Sequence, residues 1–245
     1  EDVIYEAIAH CYDKLKNYAQ ARFHYRKATH LNQDDSQLYY KIACTYMNEG
    51  VWDSAIKNLQ TAMRIHRLQP EYNLAIGQCY MQIGKIEDAI QYFGNVVRTK
   101  PKNSNGWIEL LKCLYSVNCY EEGLEYTDHA LELTNGKTLF LFYKSAFLFA
   151  LRKSKEAVLQ LEAGMEQNPK LIKKMLELNP SLLQNQFVVD VLARYKRNKK
   201  YYFVAIAYAY NNYRPFDPKA VLGQRRPYLE GRRNIGDGFN PFYTV

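Results

Sequence analysis

The chain is 245 residues long, 47% hydrophobic and 14% aromatic, with 22 tyrosines and a formal charge of +8 at pH 7. That length carries one or two ordinary domains, and the apolar share is that of a folded chain. No apolar run approaches the roughly 20 residues that a membrane-crossing helix needs, no secretory signal is present, and acids interleave the basic residues, so the excess charge reads as a mixed, solvated surface. The sequence opens on Glu1 and is expected to be a fragment or a processed form, so an address signal could have stood upstream.

Taken in chain order, the first 169 residues repeat themselves. Ala21, Ala55, Ala89, Gly123 and Ala157 stand at one constant step of 34 residues. Ile8, Ile42, Ile76 and Leu110 keep the same step, as do Tyr12, Tyr46, Tyr80, Leu114 and Leu148. Ala9, Ala43 and Gly77 form a small series that Ser145 resumes, and Ala28, Ala62, Val96, Ala130 and Gly164 form another. Tyr25, Leu59, Phe93 and Leu161 are the large members that fill the space beside them, with Thr127 the exception. Apolar residues three and four apart inside each unit predict two helices with one buried stripe apiece. Tyr18, Trp52, Ile86 and Tyr120 open the second helix of their units. Gly50 and Gly84 fall between the paired helices, where a positive φ costs glycine little. Pro101 and Pro169 fall between units, where a helix must stop.

This spacing resembles the tetratricopeptide repeat family, whose units are 34-residue helical hairpins. The resemblance covers 1–169 as five units, about 1–35, 36–69, 70–103, 104–137 and 138–169, and implies an all-α, right-handed superhelix. The fifth unit departs at Lys144 and Ser154, so its first helix is expected to sit differently. Residues 170–200 are expected to form capping helices. Within them, Asn179 and Pro180 read as a helix start. Leu182, Leu183, Phe187, Val188, Val191, Leu192 and Tyr195 make the apolar stripe that would cover the open end of the array.

From Tyr201 the style changes. Tyr202, Val204, Ile206, Tyr208 and Tyr210 alternate with alanines, which predicts an extended strand. The stretch after it holds four of the eight prolines and four of the twelve glycines. The runs YYFVAIAYAYNNYRPFDP and QRRPYLEGRRNI resemble the end of a fibronectin-type module in secreted or surface proteins of Bacteroidota-type bacteria, related to type IX secretion. That resemblance implies a setting in the bacterial envelope or periplasm, in protein secretion or envelope assembly. Residues 201–245 are either native to the chain or a fused or partner-derived peptide.

The repeat resemblance implies that the first helix of each unit lines a concave groove. The positions so assigned are Gln37, Tyr40, Cys44, Met47 and Asn48 in the second unit, and Leu74, Gln78 and Met81 in the third. They continue with Asn105, Ile108, Lys112 and Tyr115 in the fourth, then Leu139, Phe142, Ala146 and Phe149 in the fifth, of which Phe142 and Phe149 equally fit burial in the core. Glu6, His10 and Asp13 face the groove in the first unit. A subset of the family grips a C-terminal carboxylate with paired lysines and asparagines. Glu6 and His10 stand at those places here, so that activity is disfavoured.

The groove is mostly apolar and aromatic, which suits an extended, aromatic-rich polypeptide. Residues 201–245, or an equivalent client segment, are the expected occupant. The function expected is therefore a non-enzymatic interaction scaffold, with no cofactor, metal or small-molecule substrate. The five histidines have no spacing that joins them to a nucleophile or metal. Glu87 with Asp88, and Glu121 with Glu122, sit where acids complement a helix dipole. Cys11, Cys44, Cys79 and Cys113 recur about one unit apart and are expected to be small core fillers. The alternatives are an RNA-binding helical solenoid, for which only Lys112 and Lys41 lie near the groove, and a regulatory or chaperone-type adaptor.

Overall fold

The computed structural model describes residues 1–67 and 69–198. The strand expected over 202–210, and the docking of 201–245 in the groove, lie outside the described residues. Ten helices form five hairpins: α1 (Asp2–Lys14) with α2 (Tyr18–Leu31), α3 (Ser36–Asn48) with α4 (Trp52–Ile65), α5 (Pro70–Gln82) with α6 (Ile86–Thr99), α7 (Ser104–Ser116) with α8 (Tyr120–Leu133), and α9 (Thr138–Ala150) with α10 (Ser154–Gln167). Every helix boundary recurs at the 34-residue step. Each second helix also packs on the first helix of the next unit, so the hairpins stack into a superhelix. No strand occurs among the described residues.

One turn recurs between the paired helices. Lys16, Gly50, Gly84, Asn118 and Arg152 all take a positive φ, between 58° and 80°. The residue after each donates its backbone N–H back to the carbonyl of Tyr12, Tyr46, Tyr80, Leu114 or Leu148, at 2.9–3.0 Å. Such a turn satisfies carbonyls that the helix end leaves without partners. Glycine fits it without strain, whereas Lys16 and Arg152 hold it at some cost.

Size alternation sets the packing between helices. Ala21, Ala55, Ala89 and Ala157 are wholly buried, as are Tyr25, Leu59, Phe93 and Leu161. Gly77 shows why the small positions matter: a Cβ there would stand 2.5 Å from the Phe93 ring. At Gly123 the intruder would be Phe147 of the following unit. The two helices of a unit, and the neighbouring units, therefore approach as closely as glycine and alanine permit.

The chain does not continue the stacking after α10. A short 3-10 turn (Pro169–Leu171) leads into α11 (Ile172–Leu178), a second 3-10 turn (Pro180–Gln184), and α12 (Gln186–Asn198). Asn179–Pro180 thus starts a 3-10 turn and not the long helix expected. The chain is extended at Asn185, whose side chain then caps α12 by accepting from the Phe187 N–H at 2.9 Å. Val188, Val191 and Leu192 are buried where α12 lies over α10, while Phe187 is half exposed. α11 takes a different route. It packs on α9 and reaches α7, both of them first helices, and so lies across the inner face of the last two units.

Candidate interaction surface

The first helices α1, α3, α5, α7 and α9 line the inner face, and the array has two regimes along it. Over the first three units the face is open. Tyr40, Cys44, Met47, Leu74, Gln78 and Met81 are half-buried, and Gln37 and Asn48 are exposed. Asn105 is exposed and Ile108 and Lys112 half-buried at the entry to the fourth unit. Methionine, aromatic and amide side chains alternate here, each at least partly exposed. The first two groups can take up apolar side chains of irregular shape, and the amides can pair with a peptide backbone.

Over the last two units the face is closed. Tyr115 and Phe149 are 8% exposed and Phe142 not at all, so the groove assignment is corrected for these three. Phe142 turns back onto α10, its ring against the place where Gly164 has no side chain. Tyr115 meets Phe147 edge-on at 5.3 Å between ring centroids. Its hydroxyl accepts a hydrogen bond from the Asn179 side chain at 3.1 Å. Burial pushes the Tyr115 hydroxyl up, and the Asn179 bond acts in the opposite direction. Ala146 is buried and Leu139 half-buried. Met175 and Leu176 of α11 join the core cluster that holds all of these. Sequence reasoning missed this lid. Ile172, Met175 and Leu176, three and four residues apart, signal that α11 must bury one side, but not which surface receives it.

The charges on the open face are few, and most are matched. Lys41 of α3 reaches back one unit to Glu6 of α1. Lys112 bonds Glu109 on its own helix at 3.0 Å. Lys144 departs from the apolar series by leaning outward to Asp128 at 2.5 Å, which explains how α9 keeps its register despite a lysine at that position. Asp13 is the exception: one of its carboxylate oxygens is buried and meets no hydrogen-bond donor among the described residues. Beside it, burial pushes the Cys44 thiol up. Tyr40, whose ring leans on Tyr72 at 5.2 Å between centroids, is pushed up by burial and by the neighbouring Cys44.

The remaining thiols divide by position. Cys79 and Cys113 are buried core fillers, pushed up by burial to about 11 and about 12. Cys11 holds the matching place in the first unit, but no helix lies over it among the described residues, and it is exposed. Cys44 stands one position out of that series and faces the groove. No group of histidines, cysteines and carboxylates is gathered as metal ligands would be among the described residues. No described helix is long and apolar enough to cross a membrane.

The tetratricopeptide repeat family model matches residues 3–35 and 70–103. BBSome complex member BBS4 of Bos taurus is 28% identical over 93 residues, which are 38% of this chain and 18% of that protein. The chain thus spans less than a fifth of that relative's length. Two solved structures share the fold. MamA of Desulfovibrio magneticus RS-1 superposes with a TM-score of 0.60 at 14% identity, over 69% of this chain and 95% of that one. YrrB, described as a TPR protein with an unusual peptide-binding site, gives 0.56 at 15% identity, over 80% and 92%. With a 34-residue step in the boundaries of the ten paired helices, a shared turn in each hairpin, and matches to the repeat over residues 3–35 and 70–103 and in fold, the described residues have the tetratricopeptide-repeat fold.

Proposed function

We propose that the chain is a non-enzymatic scaffold that holds an extended polypeptide along the inner face of its first three units, ending against α11. The contrast in burial carries this reading. Tyr40, Met47, Leu74 and Met81 stay half-exposed at register positions whose counterparts Phe142 and Phe149 are sealed. An apolar trough open to water at one end and roofed at the other has room for a peptide backbone only where it is open. YrrB, with its peptide-binding site, offers a precedent within the same fold and no more.

The RNA reading loses ground because both inner-face lysines are neutralised, Lys41 by Glu6 and Lys112 by Glu109. An envelope or secretion setting rests on residues 201–245 alone. A pull-down from lysate with residues 1–200 tests the groove, using wild type and a Met47→Ala/Met81→Ala variant of unchanged melting temperature. One polypeptide should be retained by the wild type and lost by the variant. Equal retention by both would move the binding site off the inner face. Titration with a peptide of residues 201–210 asks whether that segment is the client. Binding that the double variant abolishes would identify it.

A further inference from the structure

The outer side of the second and third units carries a depression of about 650 Å³ that the inner-face reading does not use. Its wall is basic, with Lys57 and Arg64 from α4, Arg67 from the loop beyond, and no carboxylate. Met63 and Tyr92 form its apolar part. Both are half-buried, and the Tyr92 ring is stacked on Tyr80 at 5.4 Å between centroids, so it is held in place.

The depression gathers these three cations with no acid on its wall. At three other seams a cation meets an acid, Arg22 with Glu49 at 2.6 Å, Lys144 with Asp128 at 2.5 Å, and Arg194 with Glu162 at 2.6 Å, whereas the seam between α6 and α7 has no ion pair among the described residues. One repeat after Arg22 and Glu49 the sequence has Ile56 and Ile83, so the second seam has lost its equivalent pair. Lys57, Arg64 and Arg67 are exposed and form no ion pair among the described residues. Arg64 donates to the Thr61 hydroxyl at 3.0 Å, which orients the guanidinium without neutralising it. Its place in the last turn of α4 suits the helix dipole. Lys57, two turns earlier, and Arg67, past the helix end, have no such partner.

Three like charges around one concavity repel each other, and an anionic guest relieves that repulsion. The guest must also cover an aromatic ring and a thioether. A free phosphate would leave both in water, and a nucleic acid would need basic residues continuing along the surface. The neighbouring outer depression, at the first seam, has its Arg22 already paired with Glu49 and its Arg26 bonded to the Tyr46 hydroxyl at 2.7 Å.

We propose that this depression is a second docking site, for an acidic segment of a partner polypeptide. Carboxylates of the segment meet Lys57, Arg64 and Arg67, and one apolar side chain rests on Tyr92 and Met63. The test is fluorescence anisotropy with the full chain and a short labelled peptide of glutamates around a central leucine. Binding should weaken as salt rises. It should fall at least about ten-fold in a Lys57→Glu/Arg64→Glu/Arg67→Glu variant, and change less than about two-fold in a Lys14→Glu/Lys155→Glu control. The inner-face variant Met47→Ala/Met81→Ala should bind the peptide as wild type does, so failure here and failure of the groove reading are separable. Circular dichroism and melting temperature confirm that each variant is folded. The proposal is overturned if the peptide fails to bind at millimolar concentration, or if a glutamine version binds equally well. It is also overturned if the charge-reversed variant binds as tightly as wild type. Tighter binding of a single-stranded RNA, lost in that same variant, would assign the site to nucleic acid instead.

Discussion

The first three units and the last two are built on one period, yet they use their inner faces in opposite ways. In the early units the face meets water through Tyr40, Met47, Leu74 and Met81. In the late units the same face meets α11, and Tyr115, Phe142, Tyr143 and Phe149 become part of a core that runs from Ala89 to Leu192. The same register position is therefore a surface in one half and an interior in the other. Its role is decided by what the rest of the chain lays over it.

The sharpest way to break this comparison is to truncate one side chain in each half. Phe142→Ala removes a wholly buried ring and should cost about 3–5 kcal/mol. Met47→Ala, at a half-exposed site, should stay within about 1 kcal/mol. Urea unfolding of the two variants reads the difference, and equal losses would mean that the early face is as closed as the late one. Next in size is Gly77→Ala. The new Cβ meets the Phe93 ring, and the resulting overpacking should cost about 1–3 kcal/mol, visible as a lower thermal midpoint. No change would mean that α5 and α6 can part without loss.

The latch on α11 is a smaller effect. Asn179→Ala removes the hydrogen bond to Tyr115 and should cost about 0.5–1.5 kcal/mol. Amide hydrogen exchange should speed up in α11 first, with α3 and α5 unaffected. Exchange that quickens evenly along the chain would show that α11 is not a separate lid. The smallest effect runs the other way. Arg152→Gly relieves a positive φ of 60° in the turn between α9 and α10 and should stabilise by about 0.5–1 kcal/mol. The counterpart Gly50→Arg should destabilise by a similar amount or more. Together the pair tests whether one turn geometry serves both halves.

Much of this architecture was legible in the residues. The series through Ala21, Ala55, Ala89, Gly123 and Ala157 carries the helix pairing because close approach demands a small residue at each contact. Gly50 and Gly84 marked two of the five turns. The other three were hidden, because Lys16, Asn118 and Arg152 occupy the same backbone shape without glycine's signature. Cys44 reads both as a core filler from its rough spacing and as a groove position from the repeat register, and it stands one position, about 100° around a helix, out of the Cys11, Cys79 and Cys113 series. The closed half of the groove was not legible from α7 and α9 themselves, since Tyr115, Phe142 and Phe149 suit a peptide surface and a core equally well.

Period, helix boundaries and the small-against-large packing were determined by the sequence alone, because each depends on residues close along the chain or one repeat apart. The path of α11, and with it the division of the inner face into open and sealed halves, was decided only in the tertiary structure. The stripe of Ile172, Met175 and Leu176 dictates that α11 must bury one side. Which surface receives it is set by shape and hydrogen bonding between residues as far apart as Tyr115 and Asn179, and no local pattern encodes that choice.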